Sequence, residues 1–331
     1  MIHPIPSGTR DVLPDEMREM RAITEALRRV FEAHGYGEVY TPALEYEAVL
    51  ARADRFGVPP TPPPAYRLFD EAGALLVLRS DMTVPIARLA ATRYAHVEPP
   101  LRFCYFAHCY RGVRPQRGQP RELLQAGIEL IGAPAPQGTA EALAVLCRAL
   151  DATGLEDYRV GLGDASLFGE LMAGVGVHEG ARPGLLEALA RRDFVALEGL
   201  LHEAGLPPAD AELLLSVPQR RGGPEMLAEL PPPAVQAAAG MRAVHELLED
   251  AVAERVIFDL GLVRSLGYYT GAVFEVYDPA LGAPIGGGGR YDELLGRFGR
   301  SLPAVGFALG VDRLHIALAG EERGRGAGLT R

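Results

Sequence analysis

The chain has 331 residues, and its 33 basic side chains, all of them arginine, are outnumbered by 43 acidic ones. The absence of lysine excludes a P-loop lysine and a Schiff-base nucleophile. The net charge of −10 argues against a general nucleic-acid binder, because such affinity comes largely from neutralising phosphates. Any anion held by a cationic side chain must therefore be held by arginine or, more weakly, by histidine.

Export, membrane insertion and metal binding are not expected. The first ten residues lack a cationic segment followed by an apolar one, and no apolar run approaches about 18 residues. Cys104, Cys109 and Cys147 show no CxxC spacing, and the histidines show no HExxH or Cys/His spacing. We expect a cytoplasmic protein with reduced thiols, no metal and no cofactor.

The first predicted elements precede a long strand pair. Apolar residues at helical spacing predict an amphipathic helix over 14–34, followed by a short strand over 38–41. The proline-rich stretch 57–64 predicts a rigid loop, since proline disrupts both helix and central strand. Two apolar runs within 66–78 predict a hairpin.

A long antiparallel pair forms the centre of the predicted fold. Its strands are 101–111 and 122–131, joined by a loop over 112–120 that is rich in glycine and proline. Helices are predicted before and after the pair, over 83–94 and 137–153.

The composition changes after about residue 164, where Leu, Ala, Glu and Arg recur at helical spacing up to residue 250. Strand patterns then return at 255–260, 272–277 and 303–309, with a short helix at 291–298 and another after Val311.

We therefore predict an α+β fold, a mainly antiparallel sheet flanked by helices. Its predicted parts are a core of residues 1–163 and 251–318, a helical insertion over 164–250 and a C-terminal tail over 319–331.

Asp81 and Thr83 lie where a strand ends and a helix begins. A carboxylate and a hydroxyl at this point can bind an ammonium group, or they can simply cap the helix. Both interpretations remain open from the sequence alone.

A polar set lies on the second long strand. Arg121, Gln125 and Glu129 are four residues apart, so they share one strand face, and Arg111 ends the partner strand. These groups are costly to bury unless they are paired or bound to a ligand. The alternative is a solvated face or an internal network of salt bridges.

Three further segments are ambiguous when taken singly. Arg264, Tyr268 and Tyr269 can supply a cation and aromatic walls, or be a surface arginine beside core tyrosines. The glycines of 286–289 allow close approach to a ligand, or a tight packing turn. Arg313, in the first turn of a helix, opposes the helix dipole, which suggests a ligand or an acidic partner, and the alternative is a solvent-exposed arginine.

The order of these segments resembles the catalytic domain of histidyl-tRNA synthetase, a class II synthetase, over about residues 4–318. The resemblance therefore implies a class II antiparallel sheet. The matching segments are the opening 6–14, motif 2 at 111–132, the histidine-specific Arg-Gly-Leu-Asp-Tyr-Tyr signature at 264–269, the glycine loop at 288–292 and motif 3 at 303–314.

Several positions depart from the synthetase pattern. Val113 replaces the motif 2 glutamate that holds adenine, and Asp81 replaces a glutamate. Ser265 and Gly267 replace a glycine and an aspartate of the histidine signature. Only 18 residues follow Arg313, whereas an anticodon-binding domain needs about 100, so we expect no tRNA binding.

With these departures the chain resembles the regulatory subunits of short-form ATP phosphoribosyltransferase. The resemblance implies a non-catalytic subunit of a hetero-octamer with the short catalytic subunit, needed for the first step of histidine biosynthesis. It also implies feedback inhibition with L-histidine as the effector, and a homodimer through the synthetase-like core.

On this resemblance we hypothesise a histidine site beside a vestigial nucleotide site formed by Arg111 and Arg313. The α-ammonium of histidine is assigned to Asp81, Thr83 and Glu129. Its carboxylate is assigned to Arg111, Arg121 or Gln125. Its imidazole is assigned to Arg264, Tyr268 and Tyr269.

Two alternatives remain open. A truncated enzyme that still adenylates histidine would use the retained arginines Arg111, Arg264 and Arg313 to support the triphosphate. A pure assembly scaffold would carry the pocket only as a vestige.

Overall fold

Eleven α-helices and twelve strands are found in the part of the chain that the computed structural model describes, residues 5–53, 65–112, 120–262 and 267–328. The predicted loop at 57–64, most of the loop at 112–120 with Val113, and Arg264 lie outside the described residues.

The α-helices account for about half of the described residues outside the sheets. They are α1 (Pro14–Ala33), α2 (Glu47–Leu50), α3 (Thr83–Thr92), α4 (Gln137–Thr153), α5 (Leu167–Gly174), α6 (Arg182–Ala190), α7 (Phe194–Glu203), α8 (Pro208–Ser216), α9 (Val235–His245), α10 (Asp250–Ala253) and α11 (Val311–Gly328). None of these helices is both long and apolar enough to span a bilayer.

The strands form two sheets. They are β1 (Gly37–Glu38), β2 (Leu44–Tyr46), β3 (Arg67–Phe69), β4 (Leu75–Leu78), β5 (Leu101–Tyr110), β6 (Glu122–Ile131), β7 (Arg159–Asp164), β8 (Arg221–Gly222), β9 (Val256–Asp259), β10 (Ala272–Tyr277), β11 (Gly286–Arg290) and β12 (Ala304–Gly310).

A nine-stranded sheet, in the order β1-β5-β6-β12-β11-β10-β7-β9-β8, dominates the described chain. Its pairs are antiparallel except for β1 with β5 and β7 with β9. The smaller sheet has the order β2-β4-β3 and contains the predicted hairpin. The helix-flanked, mainly antiparallel sheet confirms the predicted α+β class II synthetase-like fold.

One face of the large sheet is packed against helices through apolar side chains. Ile128 on β6 and Phe307 on β12 lie in one buried cluster with Phe31 of α1 and Leu143 of α4. Apolar residues of the helical segment, such as Leu171, belong to the same cluster. The helical segment and the sheet therefore share one hydrophobic core.

The opposite face of the sheet is covered by α3. Ile86 and Ala90 of this helix lie in a second cluster with Tyr105 of β5, together with Tyr268 and Tyr291. Because successive strand residues point to opposite faces, Gln125 and Glu129 fall on this second face. Polar side chains are thereby placed beneath α3.

Three predicted elements differ in extent from those observed. The strand predicted over 38–41 is reduced to Gly37–Glu38, which pairs with only two residues of β5. The helix predicted over 291–298 is a single 3-10 turn, Leu295–Phe298, because Asp292 accepts a hydrogen bond from the backbone of Ala304 instead of starting a helix. Within the segment predicted as helical, β8 pairs with β9.

The glycine run predicted as a loop or packing turn is strand β11, in the interior of the sheet. A Cβ at Gly288 would overlap the carbonyl oxygen of Gly306 and lie 2.8 Å from the Cα of Phe307. Glycine is needed here because the neighbouring strand backbone occupies that space.

We expect Gly288→Ala to destabilise the fold by about 1–3 kcal/mol or more, since the clash is with backbone that cannot rotate away. The matched control is Gly282→Ala, because an added Cβ there meets no atom within 4 Å. Urea unfolding of both variants checks this. Equal midpoints for the two variants would contradict the packing explanation.

Candidate functional site

The face of the sheet beneath α3 holds a buried carboxylate. Glu129 is 1% exposed. Its Oε1 accepts a hydrogen bond of 2.7 Å from the Thr83 hydroxyl, and its Oε2 accepts one from the Tyr291 hydroxyl. Burial raises the pKa of Glu129 to about 8, although these two hydrogen bonds oppose the rise.

Glycines on the same face make room for these polar groups. A Cβ at Gly306 would lie 2.7 Å from the carboxyl carbon of Glu129, and one at Gly127 would lie 2.7 Å from Cζ of Tyr105. Gly306 is the β12 partner of Glu129 in the strand register. The side chains of Glu129 and Tyr105 therefore occupy space that larger residues would fill.

Asp81 precedes α3 and caps it. Its Oδ1 accepts a hydrogen bond of 3.1 Å from the backbone N–H of Val84. Burial raises the pKa of Asp81, while that hydrogen bond and the positive charge of Arg111 act in the opposite direction. The capping alternative is thus realised, and it places the carboxylate close to Glu129, whose pKa it helps to raise.

The side-chain oxygen of Gln125 accepts a hydrogen bond from a thiol. Cys109 on β5 donates to Oε1 of Gln125 at 3.1 Å. Burial raises the pKa of Cys109 to about 12, so the sulfur keeps its proton and acts as the donor. The amide nitrogen of Gln125 is then the group left for a ligand, which suits a carboxylate.

Arginines converge at the other end of this face. Burial and the neighbouring charge of Arg111 lower the pKa of Arg313, whose guanidinium donates to the carbonyl of Pro284. Arg121 adjoins Arg111 through a backbone hydrogen bond, and its buried Nε has no hydrogen-bond partner among the residues that the structure describes. Like charges drawn together in this way favour an anion at this end.

Tyrosines form the wall of the site. The rings of Tyr268 and Tyr269 lie 5.0 Å apart, and Tyr268 meets Tyr291 edge-on at 5.9 Å. Burial raises the pKa of Tyr268 and Tyr291 well above the usual value, so both keep their hydroxyl protons. The result is an aromatic surface on which the Tyr291 hydroxyl is already committed to Glu129.

The structure thus brings together most of the residues chosen from the sequence. Those at one face or its edge are Asp81, Thr83, Arg111, Arg121, Gln125, Glu129, Tyr268, Tyr269 and Arg313. Arg264 lies outside the described residues.

Sequence reasoning missed three residues of this face, Tyr105, Cys109 and Tyr291. The alternation in 101–111 was a signal for the first two, because it places them on one strand face. Tyr291 carried no local signal, since its contact with Glu129 spans 162 residues. Among the described residues, no group of three or more His, Cys, Asp or Glu side chains is placed to hold a metal ion.

The raised pKa of Glu129 makes stability depend on pH. The folded chain keeps a proton that the unfolded chain loses near pH 4.5, so this group's contribution to stability is full below about pH 4.5 and is lost as the pH rises to about 8. We expect the free energy of unfolding of wild type to fall by up to about 1.4 kcal/mol per pH unit in that window, relative to that of Glu129→Gln.

Urea unfolding at pH 5 to 8 measures this difference. The exposed hairpin residue supplies the control variant, Glu71→Gln, which should follow wild type. Parallel curves for wild type and Glu129→Gln would show that Glu129 is ionised throughout.

Comparison with known proteins places this geometry in a family. The family model described as histidyl-tRNA synthetase matches residues 8–314. An ATP phosphoribosyltransferase regulatory subunit from Symbiobacterium thermophilum is 45% identical over 319 residues, which cover 95% of this chain and 79% of that relative.

Solved structures agree with the sequence comparison. An ATP phosphoribosyltransferase regulatory subunit/histidyl-tRNA synthetase from Bacillus halodurans matches with a TM-score of 0.85 and 33% identity, over 96% of this chain and 84% of that one. A histidine–tRNA ligase subunit from Alicyclobacillus acidocaldarius matches with a TM-score of 0.80 and 31% identity, over 97% and 99% of the two chains. The chain therefore belongs to the histidyl-tRNA synthetase family and, within it, to the ATP phosphoribosyltransferase regulatory subunits.

Proposed function

We propose that this chain works with a short catalytic ATP phosphoribosyltransferase subunit in the first step of histidine biosynthesis, and that L-histidine is its inhibitory effector. The observation that carries the subunit role is the 45% identity, over 95% of the chain, to a protein named as such a regulatory subunit. A homodimer of this chain within a hetero-octamer belongs to the same proposal.

The charges of the site support an amino acid as effector. Glu129 lies toward one end and Arg111 and Arg313 toward the other, and Asp81 is close enough to both Glu129 and Arg111 for their charges to interact. A zwitterion has the complementary charges, with its ammonium group toward the first end and its carboxylate toward the second.

The ligand groups are assigned as follows. Thr83 joins Asp81 and Glu129 at the ammonium, and the amide nitrogen of Gln125, whose oxygen accepts from Cys109, suits the carboxylate beside Arg111 or Arg121. The imidazole is assigned to Tyr268 and Tyr269, and Arg264 is assigned to the same group from the sequence alone.

Binding without catalysis is sufficient for this role. Val113 has no side-chain acceptor for an adenine amino group, so we propose that histidine binds but is not adenylated. A ligand that prefers one of two states of an assembly shifts the assembly toward that state, and no reaction is needed.

Reconstitution tests the subunit role. We expect the chain to co-purify with a short-form phosphoribosyltransferase, to raise its activity over that of the catalytic subunit alone, and to make it inhibitable by histidine. No association and no activation would contradict the proposal.

The same preparation separates the alternatives. Histidine-dependent ATP–pyrophosphate exchange would identify an adenylating enzyme. Activation without histidine inhibition would identify a scaffold.

Glu129→Ala tests the pocket. Removing one partner of a buried charge interaction costs about 2–5 kcal/mol, so we expect histidine affinity to fall at least about thirtyfold, as measured by isothermal titration calorimetry. The control Glu71→Ala, at the exposed hairpin tip, should bind as wild type does. Equal heats for wild type and Glu129→Ala would rule out the proposed pocket, while assembly with the catalytic subunit would be unaffected.

A further inference from the structure

The Glu129 carboxylate accepts hydrogen bonds from hydroxyls on two different segments of the chain. We propose that Tyr291 is a positioning residue which, opposite Thr83, fixes the carboxylate of Glu129 so that entry of a cationic ligand group is coupled to release of one proton. Only the identity of the ligand, histidine, rests on the proposed function.

Tyr291 is itself held in place. It is 2% exposed, and its backbone N–H donates to the carbonyl of Ala304 at 2.9 Å. Its ring meets Tyr268 edge-on. With backbone and ring both fixed, the hydroxyl is fixed at Oε2 of Glu129 and cannot follow that carboxylate elsewhere.

The carboxylate has no room to move aside. Gly306 lies directly beneath it, and Thr83 donates to the oxygen that Tyr291 does not contact. The two hydroxyls arrive from the start of α3 and from the end of β11, so they fix both oxygens and with them the plane of the carboxyl group.

The surroundings of Glu129 offer it no cation within the described chain. Asp81 faces it from the segment before α3, and Tyr105 faces it from β5. Tyr268 and Tyr291 face it from the segments beside β10 and β11. These groups are acidic or neutral, and the groups that affect its ionisation include no arginine or histidine.

A buried carboxylate without a cationic partner takes up a proton, because an uncompensated charge is costly in this environment. The empty site therefore holds Glu129 as the acid at neutral pH. An entering ammonium or imidazolium supplies the missing charge, and Glu129 then ionises. Its O–H bond breaks, the proton passes to solvent, and the ligand remains cationic, so charge and protons balance.

Tyr291→Phe isolates the hydroxyl, because it keeps the ring that packs on Tyr268. Since the lost donor favours the ionised carboxylate, we expect histidine affinity at pH 7 to fall about tenfold, and the pH at which binding strengthens to rise.

The matched control is Tyr158→Phe. Tyr158 is also a fully buried tyrosine that donates to a carboxylate, Asp151 at 2.8 Å, but it lies in the cluster on the opposite face of the sheet. The Tyr158→Phe variant should leave the affinity for histidine and the pH dependence of binding unchanged. Thr83→Val should weaken binding as Tyr291→Phe does, and Thr83→Ser should restore it.

The measurement is calorimetric titration of L-histidine into the full chain at pH 6 to 9, in phosphate and in Tris. Buffers with different ionisation heats reveal protons released, and we expect about one proton at pH 7 for wild type. Heats that do not depend on the buffer would overturn the proton coupling. An unchanged affinity and pH profile in Tyr291→Phe would overturn the positioning role.

A second measurement needs no ligand. Carbon-13 NMR of the glutamate carboxyls in the free chain follows the titration of Glu129, identified by its loss in Glu129→Gln. We expect a higher midpoint in Tyr291→Phe than in wild type, and equal midpoints would overturn the inference. Absence of histidine binding with a shifted midpoint would instead reject the proposed effector and leave the role of Tyr291 intact.

Discussion

The hydrogen-bonded carboxylate of Glu129 is the constraint on which the site depends. It requires glycine at 306, because a side chain there would occupy its place. It also requires α3 to begin with Thr83 above β6, and the chain to leave β11 with Tyr291 pointing back across the sheet. Three elements distant in sequence must therefore meet at one group of atoms. Misplacement of any of them would leave a buried polar group unsatisfied, which is expensive.

The two faces of the large sheet have different roles: one packs against the helices of the core, and the other carries the polar site. Toward α1 and α4 the strands present Ile128, Phe307 and similar residues, which are fully enclosed and supply apolar burial. Toward α3 the same strands present glycine, carboxylates and an amide. Small residues on that side lower its contribution to the core but leave room for the side chains of Glu129 and Tyr105. The apolar face therefore supplies most of the burial that stabilises the sheet, and the polar face supplies less.

Local pattern was enough to predict much of the fold. The strands β5 and β6 and the helix α4 were predicted almost to the residue, because alternation, helical periodicity and glycine punctuation are all local signals. Glu129 and Gln125 were assigned to one face by spacing alone.

What failed depended on partners distant in the chain. The glycines of β11 look like a loop until Gly306 and Phe307 are known to lie against them. Tyr291 and Cys109 acquire their roles from strand register, since Gly306 pairs with Glu129 and Ala107 pairs with Gln125. No local pattern encodes which strands become neighbours, and the two-residue strand β8 is too short to carry a periodic signal at all.

The core shared by the helical segment and the sheet has a further consequence. Leu171 and Phe274 belong to one continuous apolar cluster, so the helices between β7 and β9 are not a detachable module. Excising them would expose apolar residues of β7 and β10, the strands against which α9 packs. Because these helices and the sheet share one core, we expect a destabilising mutation in the helices to destabilise the sheet and the site it carries as well.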